Sequence, residues 1–300
     1  MASPNILHMV SPQKHVSPFD VNLALDAGYD AVVPYPLVVP QDIRGLVQDA
    51  IFSRAPTDGP RTGLFIGGRN AIVALDMLTN AWEAMVPPFA ISLFADPAGA
   101  FTTGAALTAI VEQRLNEQTG TGLAGKNVLI LGGGGVVSFV AAVIAAQEGA
   151  VVKLAGHDGD GRVKQAVADM RSRFNVQVTA VDASSDEKLC NLIAQTQVLL
   201  CAATAGTRVV PMGMLSAAGE HLEIAADTNA VPPSGIEGIG LQDDAAPLVN
   251  TVAVGIGPLV IGNIKYQVQA GLFRQMIASD KAIVLDFRDA FKLATEIVRR

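Results

Sequence analysis

The chain has 300 residues, of which 50% are hydrophobic and only 16% are charged, and its formal net charge is −7. This composition excludes an intrinsically disordered chain, and the length is sufficient for two α/β domains. The net charge is negative and the sequence contains no cluster of lysine and arginine residues. We therefore expect neither nucleic acid nor an anionic membrane surface as a partner.

The mean hydropathy of +0.38 is high for a chain without membrane spans. No uninterrupted apolar stretch approaches the roughly 20 residues that a spanning helix needs. Even the richest window, residues 139–146, is followed by Gln147 and Glu148. Parallel strands that are buried on both faces account for such a composition. Since the N-terminus shows no basic segment followed by an apolar one, we expect a cytoplasmic protein without a membrane partner.

The first third of the chain alternates short β-rich runs with helical patterns. Strands are predicted at residues 6–10, 31–33, 63–66 and 90–94, and helices at residues 18–27, 41–50, 71–84 and 103–116. Alternation of this kind predicts parallel βαβ units.

A polar, glycine-rich stretch at residues 118–125 indicates a domain boundary. Further strands are predicted at residues 128–131, 151–154, 177–181, 198–201, 222–226 and 251–254. A helix that begins at Pro258 extends past Phe273 and can return the chain to the first domain. The predicted domains are residues 1–122 with 266–300, and residues 123–265.

The glycine run after the strand at residues 128–131 is the clearest chemical motif. Gly133 and Gly135, with Ser138 in place of a third glycine, lie between this strand and a predicted helix. That is the context of a dinucleotide fingerprint, in which the pyrophosphate approaches bare backbone N–H groups. The alternative is a tight structural turn. The predicted cofactor-binding residues are Gly133, Gly134, Gly135, Val136 and Val137. The fold class is therefore α/β, with a Rossmann-like dinucleotide-binding domain and an N-terminal parallel α/β domain completed by C-terminal helices.

The next strand bears on the choice between NAD and NADP. An NAD-selective protein usually carries an acidic residue at this strand end, which binds the ribose 2′-OH. Here Gly156 and His157 take that place, Asp158 follows, and Arg162 or Lys164 can attract a 2′-phosphate. Both cofactors therefore remain open, and His157 can equally be a solvated loop residue.

Two further strand ends are predicted to border the nicotinamide half. Ala203, Thr204 and Ala205 follow the strand at residues 198–201, and Asp227 and Asn229 follow the next one. Ligands of open α/β sheets bind at the carboxyl ends of the strands. For Asp227 and Asn229 the alternative is an Asx-type turn.

Candidate substrate residues lie in or next to the first domain. Asp96 follows a strand, and its carboxylate can hold the amide edge of a heterocycle or, alternatively, cap the next helix. Lys14 and Asp20 follow the first strand. Lys265 stands alone in an apolar helical stretch, where a lysine can also simply extend its ammonium to solvent. No zinc spacing, P-loop lysine or catalytic triad pattern is present, and we expect Cys190 and Cys201 to be core thiols.

Six groups of residues together resemble the bacterial methylene-tetrahydromethanopterin dehydrogenases, most closely their NAD(P)-dependent type. These segments are residues 14–15 with 17–22, 51–54, 65–68, 94–97 with 102–103, 227–233 and 254–257. The resemblance covers residues 5–300. It implies oxidation of methylene-tetrahydromethanopterin with NAD or NADP in formaldehyde oxidation, and it implies a homo-oligomer.

The resemblance also implies residue roles. The family's catalytic lysine falls on Lys265 when positions are counted back from the C-terminal pattern at residues 291–294, and Lys14, Asp20, Asp96 and Thr102 become substrate-binding residues. Distantly similar folate enzymes carry a Tyr-x-x-x-Lys pair, but Tyr35 is followed at that spacing by Val39. A methylene-tetrahydrofolate dehydrogenase and a non-catalytic nucleotide- or pterin-binding protein remain alternatives.

Overall fold

A computed structural model describes residues 3–300, which divide into two compact units. The N-terminal unit runs to Thr102 and includes Tyr266–Leu293, whereas the second unit comprises Thr103–Lys265 and Ala294–Arg300. No helix among these described residues is both long enough and apolar enough to cross a membrane.

The helices and strands alternate along nearly the whole chain. The first elements are β1 (Ile6–Ser11), α1 (Pro18–Ala27), β2 (Ala31–Pro36), α2 (Ile43–Phe52), β3 (Thr62–Ile66), α3 (Ala71–Glu83), β4 (Ser92–Ala95) and α4 (Ala100–Thr119). The next are β5 (Asn127–Leu131), α5 (Val136–Gln147), β6 (Val151–Gly156), α6 (Gly161–Phe174), β7 (Val178–Asp182), α7 (Asp186–Ile193), β8 (Val198–Cys201) and α8 (Met212–Ala218). The last are β9 (Ile224–Asp227), β10 (Asp244–Pro247), β11 (Val254–Ile256), α9 (Pro258–Ala278), β12 (Val284–Leu285) and α10 (Phe287–Val298).

The N-terminal unit is built on a five-stranded sheet in the order β12-β4-β3-β1-β2, and all its strand pairs are parallel. Strands β3 and β4 are buried along their whole length. Phe65 and Phe94 on these strands each pack against Phe273 of α9, with ring centroids 5.4–5.5 Å apart. This aromatic contact explains why a C-terminal helix belongs to the core of the N-terminal unit.

The second unit contains a seven-stranded sheet in the order β10-β11-β9-β8-β5-β6-β7. Apart from β10, which is antiparallel to β11, its strands are parallel. Strands β6 and β7 lie on one side of β5, and β8, β9 and β11 lie on the other, so the order of strand addition reverses between β5 and β8. This is the doubly wound Rossmann arrangement, in which ligands bind at the carboxyl ends of the strands. The predicted α/β class with a Rossmann-like domain is confirmed.

Two strands of this sheet differ from the sequence-based prediction. The strand expected at residues 251–254 begins only at Val254, because Thr251 lies in a turn, where its hydroxyl donates to the carbonyl of Leu248 at 3.1 Å. Strand β10 was not predicted, since its sequence, Asp-Ala-Ala-Pro, has no β-branched or aromatic residue. It lies at the edge of the sheet, where a proline is tolerated.

Helix α4 groups with the second unit from Thr103 on, whereas the sequence places the boundary after this helix, at residue 122. Gly104 lies against α5 so closely that a Cβ atom there would be 2.7 Å from Cγ1 of Val140. The carboxylate of Glu112 accepts the backbone N–H of Leu123 at 2.7 Å. Arg114 donates two hydrogen bonds, of 2.7 and 2.8 Å, to Asp244 on β10. These contacts all bind α4 to elements of the second unit.

We predict that Gly104→Ala lowers the stability of the second unit by about 1–3 kcal/mol, because the added methyl group overpacks a close helix contact. The matched control is Gly45→Ala in α2, where an added Cβ meets nothing within 4 Å. A glycine-to-alanine change in an unobstructed helix position stabilises by about 0.5–1 kcal/mol. Urea denaturation of both variants checks the prediction, which fails if Gly104→Ala unfolds at the wild-type urea concentration.

Candidate functional site

The turn after β5 brings backbone against backbone. Gly132 has a φ of +88°, and a Cβ atom at this position would lie 2.4 Å from the carbonyl oxygen of Ala202. A Cβ atom on Gly133 would lie 2.7 Å from the carbonyl oxygen of Ala155. The first two glycines are therefore required for packing between the end of β5 and the neighbouring strand ends.

The last two glycines open the N-terminus of α5. A Cβ atom on Gly134 would meet nothing within 4 Å, and Gly135 is the N-cap residue without a side-chain cap. The N–H groups in the first turn of a helix, here Val136 and Val137, have no intrahelical acceptor. Bare glycine backbone, open space and unused helix donors together fit the pyrophosphate of a dinucleotide. The residues predicted for this role do lie together at this helix N-terminus.

The hydroxyl of Ser138 forms a hydrogen bond within the glycine turn and is therefore not available as a donor to a ligand. Its hydroxyl donates to the carbonyl of Gly132 at 2.7 Å, and the residue is fully buried. The sequence suggested that this hydroxyl can donate to phosphate. Since a serine hydroxyl has a single proton and Gly132 receives it, the geometry favours the packing role of a small residue at the third fingerprint position.

The tip of β6 explains why no acidic residue stands there. A Cβ atom on Gly156 would lie 2.0 Å from the carbonyl oxygen of Gly159, so the loop closes directly over the strand end. His157 is exposed beside it, and its Nδ1 lies 4.0 Å from Asp158 Oδ1. Arg162 donates to the carboxylate of Asp158, and this hydrogen bond lowers the pKa of Asp158.

At the end of β9, Asp227 and Asn229 form hydrogen bonds with the surrounding loops. The buried Asp227 carboxylate accepts the backbone N–H of Asn229 at 3.0 Å and that of Gly235 at 2.6 Å, while burial raises the pKa of Asp227. Oδ1 of Asn229 accepts from Gly206 at 3.1 Å and from Val231 at 2.9 Å. This pattern is the predicted alternative, an Asx-type turn.

Three small residues precede these loops after β8. Thr204 and Ala205 are exposed, and Ala203 is half-buried. They follow the carboxyl end of β8, which pairs with β5, the strand before the glycine turn.

In the N-terminal unit, Asp96 is buried at the end of β4. Its Oδ1 accepts the backbone N–H of Phe101 at 2.8 Å, and its Oδ2 accepts the hydroxyl of Thr102 at 2.7 Å. The backbone N–H of Thr102 also donates to Oδ1, at 3.2 Å. These bonds cap the start of α4, so the geometry favours the capping alternative for Asp96 and gives Thr102 a place in the same cluster.

Asp20 and Gln269 form a buried pair between α1 and α9. Nε2 of Gln269 donates to Oδ1 of Asp20 at 2.7 Å, and both side chains are almost completely inaccessible. Lys265 precedes Gln269 by four residues, which places the two on one face of α9. Lys265 is 9% exposed, so the expected alternative of a lysine that extends into solvent is disfavoured. Lys14 is exposed in the loop after β1.

Gln269 and an aromatic pair next to these residues were not predicted from the sequence. Phe19 and Tyr266 meet edge to face, with ring centroids 6.3 Å apart, although they are 46% and 44% exposed. Their chain neighbours are Asp20 and Lys265. The available signal was the spacing of Lys265 and Gln269, two polar residues one turn apart in an apolar helical pattern.

The cysteines and metal-binding residue types form no further site. Burial raises the pKa of Cys201 to about 12, in keeping with the expected core thiol. Among residues 3–300, no three side chains of the His, Cys, Asp and Glu types come together in a way that could hold a metal ion.

The strand order and the glycine turn define a protein of the Rossmann-fold class, and two solved structures share this fold. One is quinate dehydrogenase from Corynebacterium glutamicum in complex with NAD, with a TM-score of 0.55, 12% identity and coverage of 99% of each chain. The other is 5-ketofructose reductase of Gluconobacter, with a TM-score of 0.53, 18% identity and coverage of 98% of this chain and 99% of that one.

Sequence comparison defines the family. Residues 18–98 match the model of the methylene-tetrahydromethanopterin dehydrogenase N-terminal domain. The NAD(P)-dependent methylenetetrahydromethanopterin dehydrogenase of Methylorubrum extorquens is 50% identical over 98% of both chains. The bifunctional protein MdtA of the same organism is 28% identical over 94% of both chains. The chain belongs to the methylene-tetrahydromethanopterin dehydrogenase family, as its sequence motifs implied.

We predict that Gly135→Ala weakens NAD+ binding at least about tenfold, because the second fingerprint glycine lets the pyrophosphate approach the backbone. The added Cβ would have its nearest contact at 3.3 Å, with the carbonyl oxygen of Gly132, so the turn must shift by a few tenths of an ångström to accept it. Gly213→Ala in α8 is the control, since its Cβ meets nothing within 4 Å. Calorimetric titration with NAD+ checks this prediction, and equal affinities of the Gly135→Ala and Gly213→Ala variants would contradict it.

Proposed function

We propose that this protein transfers a hydride from methylene-tetrahydromethanopterin to NAD+ or NADP+ and releases methenyl-tetrahydromethanopterin, a step in the oxidation of formaldehyde-derived one-carbon units. The observation that carries the proposal is the open glycine cradle at the start of α5, in a chain that belongs to this enzyme family. The nicotinamide ring, when bound, supplies the hydride acceptor.

The second unit holds the dinucleotide in this proposal. The backbone of Gly133, Gly134 and Gly135 and the first turn of α5, at Val136 and Val137, receive the pyrophosphate. The tip of β6, with Gly156 and His157, receives the adenosine ribose, and Arg162 in the first turn of α6 offers its charge to the 2′-phosphate of NADP. Ala203, Thr204 and Ala205 border the nicotinamide half. Asp227 and Asn229 act there by fixing the loop around it, because their side-chain bonds go to that loop.

The substrate is held by residues of α1, α9 and the loop after β1. Lys265 is the candidate catalytic residue, placed to orient the pterin or to hold a proton at one of its ring nitrogens. Gln269, one turn later, positions Asp20 through the 2.7 Å hydrogen bond. Lys14, exposed after β1, offers a cation to an anionic part of the substrate. The faces of Phe19 and Tyr266 offer an aromatic surface to the flat rings of a pterin.

Asp96 and Thr102 have a supporting part in the same proposal. Their mutual hydrogen bond and the bonds from the backbone N–H groups at the start of α4 fix the loop after β4. A substrate contact through this loop is then made by the backbone or by residues that Asp96 orients. The Asp96 carboxylate itself is committed to capping.

The modest number of acids and bases fits the reaction. The methylene carbon of the substrate lies between two nitrogen atoms, whose lone pairs stabilise the cation that remains when hydride leaves. No strong general base is therefore needed, and catalysis depends on positioning. The reacting atoms must approach to about 3–3.5 Å, and water must be kept from the hydrolysable methenyl product.

We also propose that the protein is cytoplasmic and forms a homo-oligomer. The cytoplasmic assignment is supported by its use of nicotinamide cofactors, which are intracellular metabolites. Association is supported by exposed large apolar side chains in the N-terminal unit, which include Leu37, Phe52 and Trp82. Light scattering of the purified protein tests association, and a monomer mass at all concentrations would contradict it.

The activity test combines each pterin carrier with each cofactor. The protein is mixed with methylene-tetrahydromethanopterin or methylene-tetrahydrofolate and with NAD+ or NADP+, and reduced nicotinamide is followed by its near-ultraviolet absorbance. The proposal expects turnover with the methanopterin carrier and both cofactors. Faster turnover with the folate carrier would make this a folate enzyme, and dinucleotide binding without any turnover would make it a non-catalytic binding protein.

We predict that Lys265→Ala lowers kcat at least about 100-fold, since a positioned proton-handling group contributes on this scale. The same change should alter the Kd for NAD+ by no more than about threefold, because the proposal gives Lys265 no contact with the dinucleotide. The loss of one hydrogen bond to a charged group would change the Kd by more than this factor. Lys292→Ala, at an exposed lysine of α10, is the control. Steady-state kinetics and calorimetry separate the two effects, and wild-type turnover by Lys265→Ala would refute the catalytic role of Lys265.

A further inference from the structure

The loop after β6 contributes Asp158 to an ion pair with Arg162 of α6. The acidic member favours NAD, and the basic member favours NADP. We infer that Asp158 sets the balance between NAD and NADP: it accepts the ribose 2′-OH of NAD, and it holds Arg162 against the entry of the 2′-phosphate of NADP. This inference rests on the proposed dinucleotide site of the second unit and adds the residue that determines its cofactor preference.

The backbone places both residues at the strand tip. Because Gly156 lies directly under the carbonyl of Gly159, residues 157–160 fold back over the end of β6. The carbonyl of Gly156 accepts the backbone N–H of Ala183 at 2.9 Å, which fixes the strand end against the segment after β7. Gly159 has a φ of +99°, and α6 begins two residues later. Asp158 therefore projects from the turn, and Arg162 stands in the first turn of α6.

This position matches the part of a Rossmann domain that reads the adenosine ribose. In NAD-selective proteins the acidic residue at the end of the second strand binds the 2′-OH. Here that strand is β6, and no side chain fits at its last residue, Gly156. The first carboxylate after it is Asp158, which is 44% exposed and thus available to a ligand.

Two further ion pairs lie close to Asp158 and Arg162 in the chain or in the sheet. Lys164 lies 2.8 Å from Asp160, and Lys188 lies 2.5 Å from Asp182, the register partner of Gly156. His157 lies beside them, with its Nδ1 4.0 Å from Asp158 Oδ1. These three ion pairs together contribute no net charge next to the strand end.

The state of Arg162 then decides how NADP is received. An exposed ion pair is weak, because both partners are well solvated. A 2′-phosphate can therefore replace the Asp158 carboxylate as the partner of the Arg162 guanidinium. The phosphate must compete with the carboxylate for the same guanidinium and must also approach the Asp158 charge. NAD needs neither change, because its 2′-OH can donate to Asp158 while Arg162 stays paired. The pair thereby allows both cofactors and penalises NADP.

The test measures dinucleotide affinity without pterin, by calorimetry of the full-length protein with NAD+ and NADP+. Asp158→Asn should strengthen NADP+ binding about tenfold and weaken NAD+ binding severalfold, because the carboxylate no longer competes for Arg162 or accepts a charge-assisted hydrogen bond. Arg162→Gln should weaken NADP+ binding about tenfold and leave NAD+ nearly unchanged, because only the 2′-phosphate uses its charge. In Asp158→Asn, the NADP+ affinity should also fall more steeply with salt.

The neighbouring pair provides a matched control. Asp160 and Lys164 have the same spacing as Asp158 and Arg162, and their ion pair lies on the same first turn of α6. Asp160→Asn removes the same charge two residues further along the chain. If a specific contact of Asp158 is responsible, this change should alter the ratio of the NAD+ and NADP+ Kd values less than about threefold.

Three results would overturn the inference. The first is an unchanged ratio of the NAD+ and NADP+ Kd values in Asp158→Asn. The second is an equal shift in Asp160→Asn, which would assign the effect to net charge. The third is failure of the wild-type protein to bind either dinucleotide, which would contradict the proposed function as well. The first two leave the proposed function standing, so the two failures are distinguishable.

Discussion

The close approach of Gly132 to the carbonyl of Ala202 is the constraint on which the dinucleotide site depends. These residues follow β5 and β8, the neighbouring strands between which the chain changes direction across the sheet. Because no Cβ atom fits between them, the turn lies close to the sheet, and α5 begins immediately above it. The open N-terminus of α5 is a consequence of this packing. The fold therefore places a set of backbone donors where an anionic group can reach them.

Carboxylates at strand ends organise the loops in both units. Asp96 follows β4, Asp227 ends β9, and each is buried and accepts backbone N–H groups from the segment that follows it. A buried carboxylate is stable only when such donors compensate for its lost hydration. Asp20 differs, because its buried partner is the side chain of Gln269. That arrangement links α1 to α9 and leaves the geometry of Asp20 sensitive to the position of the helix that carries Lys265.

The sequence predicted the sheet architecture and the position of the glycine turn, because buried parallel strands and fingerprint glycines have strong local signals. It did not predict β10, whose four residues have low β-propensity and form a strand only by pairing with β11. The contact of Gly104 in α4 with Val140 in α5 has no local signal either, since it joins residues far apart in the chain. For Asp96, Asp227 and Asn229 the sequence left two alternatives open. The structure favours capping and loop bonds, and the choice between the alternatives depends on the chain path after each strand, which the local sequence does not determine.

In the proposed reaction, a hydride moves directly from the methylene carbon of the substrate to the nicotinamide. The most direct measurement uses methylene-tetrahydromethanopterin made from deuterated formaldehyde, followed by mass spectrometry of the reduced cofactor after turnover in ordinary water. Direct transfer predicts one deuterium atom in each reduced nicotinamide that forms, with NAD+ and with NADP+ alike. Reduced cofactor without deuterium would contradict the account, because the hydrogen would then have come from solvent, and the absence of reduced cofactor would contradict it equally.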